Sequence, residues 1–257
     1  MGFLTDLVDE LRRRFEREPL DESRLMALAM HLPPPRPFED ALRGITVPAV
    51  IAEYKRSSPS AGVIAEPDLA SQARAYEDGG AAAVSVLTEP TRFNGSLADV
   101  RAARLAVDLP VLRKDFLVHP AQVIESRAVA ADAVLLIAAA LSELELKGML
   151  AAAEDLGLGT LVETHSEEDL AKALATEAPV VGVNARDLET LEVDVERALA
   201  LLSKVPSERV AVLESGVSTR QHVERAIDAG ARAVLVGEAL MRSPDPAAAI
   251  RSLLGAT

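Results

Sequence analysis

The sequence contains no cysteine and no tryptophan. Without cysteine there is no disulfide, no thiolate zinc site and no cysteine nucleophile. Histidine is scarce: His31, His119, His165 and His222 lie too far apart in sequence for any common metal-ligand spacing, so no metal is expected. Long hydrophobic runs are also missing. The longest, residues 133–141, is about half of the roughly 20 residues that a membrane helix needs. Met1-Gly2-Phe3-Leu4-Thr5-Asp6 carries acid early and no basic stretch ahead of an apolar one, which argues against a secretory signal and makes a cytoplasmic address the expectation. Positive charge is in deficit, with 27 Lys and Arg against 40 Asp and Glu and a formal net charge of -13. That balance repels nucleic acid and anionic membranes, so neither is expected as a partner, while a small anion can still be held by a local basic site.

What is present is globular: 257 residues, 49% hydrophobic and 26% charged. A chain of this length accommodates one α/β barrel as readily as two small domains. From residue 47 onward, short β-branched runs alternate with Ala- and Leu-rich stretches of helical period, the pattern of βα units around a parallel sheet. The runs fall at residues 47–54, 83–88, 110–114, 133–137, 160–164, 180–184, 210–214 and 233–237. Eight such units close a (β/α)8 barrel, a TIM barrel of the α/β class. Residues 1–257 are therefore expected to form a single barrel domain, of which 1–44 is an N-terminal helical extension. Within the extension, residues 5–18 place Leu7, Leu11 and Phe15 on one helical face, and a second amphipathic stretch, 21–32, precedes Pro33-Pro34-Pro35-Arg36-Pro37. The extension is expected to cap one barrel end; the alternative makes it a lid over the active-site mouth.

In this class of barrel the active site lies at the C-terminal ends of the strands. Here those ends are charged. The first strand closes Ile51-Ala52-Glu53-Tyr54-Lys55, and its period of two points Glu53 and Lys55 the same way. Lys114 ends the third strand, Glu163 the fifth, Asn184 the sixth and Glu214 the seventh. Each alone reads as a salt bridge or a solvated strand end. Gathered at a partly dry mouth they contribute little stability, so they point to general acid–base chemistry. A phosphate site is the second feature. Glu214-Ser215-Gly216-Val217-Ser218 follows the seventh strand and Val236-Gly237-Glu238 the eighth, where such barrels present backbone N–H groups to phosphate, and Ser57-Ser58-Pro59-Ser60 adds hydroxyls. No Walker-type loop is present, and Gly157-x-Gly159 lacks a third glycine and precedes a strand, so nucleotide binding is not supported.

Several segments are specific: Ile51-Ala52-Glu53-Tyr54-Lys55-Arg56-Ser57-Ser58-Pro59-Ser60, Ser85-Val86-Leu87-Thr88-Glu89, Phe93-Asn94-Gly95-Ser96-Leu97, Leu112-Arg113-Lys114-Asp115-Phe116, Gly182-Val183-Asn184-Ala185-Arg186-Asp187-Leu188 and Leu213-Glu214-Ser215-Gly216-Val217. They resemble the indole-3-glycerol phosphate synthases of tryptophan biosynthesis, through residues 45–257 and more weakly through the N-terminal helices. Members of that family close and decarboxylate 1-(2-carboxyphenylamino)-1-deoxyribulose 5-phosphate to indole-3-glycerol phosphate, carbon dioxide and water, with neither metal nor organic cofactor. The resemblance thus implies a small phosphosugar-anthranilate substrate and no cofactor, in a chain expected to be a monomer or homodimer.

Carried over position by position, the resemblance makes Lys114 the general acid for ring closure, and Lys55 the partner of the substrate carboxylate or the acid of dehydration. Glu53 and Glu163 divide the roles of base and of proton relay or orienting partner. Asn184, Arg186, Glu214 and Ser215 position hydroxyl and carboxylate groups, and Ser58, Gly216 and Gly237 face the phosphate. Phe93, Phe116, Leu135, Ile137 and Leu188 wall the anthranilate ring. One loop departs from the family: Glu89-Pro90-Thr91-Arg92-Phe93 carries a single aromatic where relatives often carry two, so ring packing there is expected to differ. Three other readings stay open at this stage. They are another ribulose-phosphate barrel such as an isomerase, an aldolase using Lys114 or Lys55 as a Schiff-base nucleophile, and a phosphosugar-binding module or scaffold without turnover.

Overall fold

The computed structural model of the chain describes residues 2–44 and 48–256. Residue 47, the expected start of the first strand, lies outside them. Three helices come first: α1 (Phe3–Arg17), α2 (Glu22–Met30) and α3 (Phe38–Arg43). Ten strands follow: β1 (Ala49–Tyr54), β2 (Ser57–Ser58), β3 (Gly62–Val63), β4 (Ala83–Leu87), β5 (Val111–Lys114), β6 (Ala133–Ile137), β7 (Gly159–Thr164), β8 (Val180–Asn184), β9 (Val210–Glu214) and β10 (Ala233–Val236). β2 and β3 make a small antiparallel hairpin in the loop after β1; the other eight form a closed parallel barrel. Closure is made by β1, which pairs Ala49 with Ala233 of β10 on one side and Glu53 with Ser85 of β4 on the other.

Helices on the outside and side chains on the inside bury both faces of each strand, which explains their near-continuous Val, Leu and Ala content. The outer helices are α4 (Leu69–Asp78), α5 (Leu97–Ala106), α6 (Pro120–Ala128), α7 (Glu143–Asp155), α8 (Glu167–Leu174), α9 (Val195–Leu202), α10 (Arg220–Asp228), α11 (Glu238–Met241) and α12 (Pro246–Leu254). Eight of these begin at a side-chain cap, from Asp68, Ser96, His119, Ser142, Ser166, Asp194, Thr219 and Asp245. Each cap contributes about 1 kcal/mol and fixes where a loop ends. Strand ends differ slightly from expectation for local reasons. Pro110 has no N–H to give the ladder, although its carbonyl still accepts from Val84 N at 3.0 Å. Gly237, expected in the last strand, takes φ -119° and ψ -76° and turns the chain into α11.

The extension serves both barrel ends. The two expected helices form as α1 and α2, and α3, which the sequence pattern did not separate, follows the proline run. α3 closes the bottom, with Phe38 and Leu42 buried beneath β1, β4, β7 and β9. α1 reaches the opposite end: Phe3 N donates to Glu189 O at 3.3 Å and Leu4 N to Leu188 O at 3.1 Å, in the loop after β8. Leu4, Leu7, Phe38 and Leu42 belong to the same hydrophobic cluster as the barrel strands. The bottom also holds a buried carboxylate, Asp132, which accepts from Arg36 N at 2.7 Å, Arg104 Nε at 3.0 Å and Val111 N at 2.9 Å. No helix among the described residues is long and apolar enough to cross a membrane.

Candidate active site

A cavity of about 420 Å³ opens at the C-terminal ends of the barrel strands, and every candidate residue from the sequence lines it. Alternation along parallel strands produces this gathering: residues two apart point the same way, and the barrel's stagger brings neighbouring strand ends to one level. Asn184 thus pairs in register with Glu214, and Glu163 with Gly182.

Lys114 stands at the centre. Its Nζ lies 3.1 Å from Glu163 Oε2 and 3.7 Å from Glu214 Oε2. Burial alone would lower the ammonium, but the carboxylates of Glu163, Glu214 and Glu53 outweigh it and hold the group above its ordinary value. Glu163 is oriented from its other oxygen by Asn184 Nδ2 at 3.0 Å, and Asn184 Oδ1 in turn accepts from Arg186 N at 2.9 Å. Lys55 Nζ pairs with Glu53 Oε1 at 2.6 Å. For Glu53 burial pushes the carboxyl up, yet Lys55, Lys114 and Arg186 bring it below the usual carboxylate range, so it is an anion at neutral pH. Glu214 behaves in the opposite way. Burial and the neighbouring Glu163 raise it well above the usual range against the pull of Lys114, and neither of its oxygens reaches a hydrogen-bond partner among the described residues. One wall therefore holds an ion pair, a lysine kept charged, and a carboxyl poised to carry a proton.

Two glycines make room for these carboxylates. A Cβ on Gly182 would collide with the Glu214 carboxyl, and one on Gly237 with that of Glu53. Each carboxylate lies flat across bare backbone of a neighbouring strand or strand end.

Beside the charged centre the cavity is apolar, walled by Leu135, Ile137, Leu188, Phe93 and Phe116. The Phe93 and Phe116 rings are 5.9 Å apart, and Phe3 from α1 meets Phe116 edge-on at 6.2 Å. Phe3 is held under the Arg92 guanidinium at 5.9 Å, and Arg92 pairs with Glu10 of α1 at 2.8 Å. Phe3 thus supplies a further aromatic to the wall that the loop carrying Phe93 shares. At the opposite side Ser58, Ser60, Ser215, Gly216, Ser218 and Gly237 line the wall. Ser215 and Gly216 have successive left-handed φ values of 64° and 74°, a strain of about 1 kcal/mol or more for the serine. Such strain gathers where backbone has to face a ligand.

Among lining residues, Phe3 and Arg242 had no assigned role from sequence, while Ser218 and Glu238 entered only as ends of the two phosphate loops. Phe3 sits outside the βα repeat and carried no positional signal. Arg242 follows Glu238 by four positions and pairs with it at 3.0 Å, a spacing that reads as an ordinary surface helix pair. Among the described residues, no three His, Asp or Glu side chains converge to hold a metal ion.

A family model for indole-3-glycerol phosphate synthase matches residues 4–253. The indole-3-glycerol phosphate synthase of Micrococcus luteus is 49% identical over 264 residues, covering 100% of this chain and 98% of the relative. That of Rhodopirellula baltica is 45% identical over 257 residues, covering 99% of each chain. Among solved structures, thiamine phosphate pyrophosphorylase from Pyrococcus furiosus shares the fold at a TM-score of 0.62 and 16% identity, covering 85% of this chain and 96% of that one. Full-length identity at this level, on a barrel whose mouth gathers the expected residues, leads to one assignment: the chain belongs to the indole-3-glycerol phosphate synthase family.

Proposed function

We propose that the mouth converts 1-(2-carboxyphenylamino)-1-deoxyribulose 5-phosphate to indole-3-glycerol phosphate, with Lys114 as the general acid of ring closure. The observation that carries this reading is the division of one cavity into three: an aromatic wall, a charged centre, and a strained Ser-Gly turn. The substrate divides the same way, into an anthranilate ring, an open-chain ketose and a phosphate.

In the first step the ring carbon bearing the carboxylate bonds to the ketone carbon, and the ketone oxygen takes a proton from Lys114. The carbon–carboxylate bond then breaks, carbon dioxide leaves, and its electron pair returns to the ring and nitrogen. In the last step the new hydroxyl departs as water on receiving a proton, while a base removes a proton from the adjacent methylene to complete the indole. Two protons are given and one is taken, so one is consumed for each carboxylate lost. The hydrogen bond from Lys114 to Glu163 supports Glu163 as orienting partner and relay, and the ion pair of Glu53 with Lys55 supports that pair as base and acid of dehydration. Lys114 held charged is suited to donating a proton and unsuited to attack as a free amine, which disfavours a Schiff-base aldolase. Gly216, Gly237 and Ser58 turn backbone and hydroxyl donors to the phosphate.

The test is turnover followed by indole fluorescence. The chain has no Trp and two Tyr, so its own signal barely interferes. A rise with the wild-type chain, lost in Lys114→Ala, supports both reaction and role. Substrate binding by folded wild-type protein with no rise would overturn the reading in favour of a phosphosugar binder.

A further inference from the structure

Behind the charged centre lies a side chain that touches no part of the cavity. His165 follows β7, two residues beyond Glu163, and its backbone N donates to Asp169 Oδ2 at 3.2 Å. Its Nδ1 is 2.8 Å from Arg197 Nη2, which also donates to Asn184 O at 3.1 Å. Nδ1 also lies 3.2 Å from Asn184 O, so it faces a donor and an acceptor at once. Nε2 is 3.2 Å from Asp187 Oδ2, an oxygen that accepts, so Nε2 carries the hydrogen of this contact. The other oxygen of Asp187 accepts from Glu189 N at 2.7 Å and Thr190 N at 3.1 Å, closing a tight turn in the loop after β8.

The same loop carries Arg186 and Leu188 into the cavity, and Arg186 donates from Nη1 to Leu191 O at 2.8 Å across the loop. It also receives the first turn of α1, through Phe3, Leu4 and a bond from Thr5 Oγ1 to Glu189 Oε1 at 2.5 Å. Two strand ends bearing catalytic candidates and one loop bearing binding candidates are therefore joined through a single imidazole.

We propose that His165 is a positioning residue: held at Nδ1 between Arg197 and Asn184 O and donating from Nε2, it ties Asp187, and with it the loop holding Arg186, Leu188 and the Phe3 turn, to the ends of β7 and β8. The proposal rests on the function argued above for its kinetic arm alone. Because a carboxylate can only accept from Nε2–H, the link is directional. Asp187→Asn keeps its shape and its two backbone bonds, yet one orientation of its amide sets N–H against N–H and the other gives up the turn.

The experiment compares His165→Ala, His165→Gln, Asp187→Asn and the double variant His165→Ala/Asp187→Asn with the wild type, by steady-state kinetics and by amide hydrogen exchange across residues 186–193. A charge-assisted hydrogen bond of this kind corresponds to about a tenfold change in an equilibrium. His165→Ala and Asp187→Asn should each raise KM about tenfold with kcat within about threefold. The double variant should be no worse than either single one, since both break one link. His165→Gln, whose amide nitrogen reaches toward Asp187, should recover most of the loss, which a packing role would not allow. Exchange at 186–193 should quicken in His165→Ala and return toward wild type in His165→Gln. Wild-type KM and exchange in His165→Ala, additive losses in the double variant, or a fall in kcat at unchanged KM would each overturn the proposal. If the wild-type chain shows no turnover, the functional reading fails by itself and the exchange arm decides: faster exchange in His165→Ala supports the link, and unchanged exchange refutes it.

Discussion

The two ends of the barrel each hold a buried carboxylate among arginines or lysines, and they treat it in opposite ways. At the bottom Asp132 is saturated: Arg36, Arg104 and Val111 all donate to it, and Phe38 and Leu42 of α3 close that end. At the mouth Glu214 is equally buried, but its oxygens have no hydrogen-bond partner among the described residues and its nearest cation stands 3.7 Å away. A fully satisfied polar cluster rigidifies a fold, whereas a half-satisfied one costs stability and persists where chemistry needs it. Both carboxylates stand at strand boundaries, Asp132 just before β6 and Glu214 at the end of β9. What separates them is whether donors have been supplied.

The sharpest way to test this contrast is a crossed pair of truncations. Lys114→Ala should lower kcat by a factor of about 10² to 10⁴, the range for loss of a positioned general acid, and stopped assays of indole-3-glycerol phosphate extend the measurement to slow variants. Asp132→Ala orphans three donors and should cost ~3 kcal/mol or more, seen as a lower melting temperature, with kcat at 25 °C within twofold of wild type. A large loss of kcat in the bottom variant would dissolve the distinction between the two ends.

A subtler contrast is in pH dependence. Folded Glu214 keeps its proton well above the pH at which an unfolded glutamate, of pKa about 4.3, releases it. The stability this contributes is full below that unfolded value and is lost as pH rises through the folded one. Glu214→Gln cannot lose a proton, so melting temperatures measured from pH 5 to pH 8 should decline less steeply than those of the wild type. Glu53, lowered by Lys55, Lys114 and Arg186 against its burial, acts with the reverse sign: its contribution is present above the unfolded value and lost as pH falls through the folded one. The smallest effect should come from salt. If Lys55, Lys114 and Arg186 offer the substrate a favourable local field despite the net charge of -13, raising ionic strength to about 0.5 M should raise KM about two- to threefold. An unchanged KM would mean that the substrate, with its phosphate dianion and carboxylate, does not feel that field.

Much of this was legible from residue order because a barrel translates sequence into space by a simple rule. Five of the eight strand runs end on an inward polar residue, so Glu53, Lys114, Glu163, Asn184 and Glu214 could be placed together at the mouth from sequence. The rule is silent about anything outside the repeat. Phe3 reaches the mouth only because Leu188 and Glu189 accept its turn, and α3 is six residues that a proline run concealed. Nor does strand order reveal which carboxylate lacks partners. That depends on where Lys114 Nζ settles between two glutamates, a matter of ångströms that no spacing encodes. In sequence His165 is one of four scattered histidines, and its place as a link shows only when Arg197 and Asp187 stand on either side of its ring.

Gly182 and Gly237 carry a consequence for how this enzyme would look to a mutational screen. Neither has a functional group, yet a methyl at either position would strike a carboxylate that lies across it. Alanine variants there should fold and fail, and would be scored beside Lys114 as though they did chemistry. The converse holds for evolution: a lineage can retire this site without touching an acid or a base, by adding one carbon to the wall it leans on.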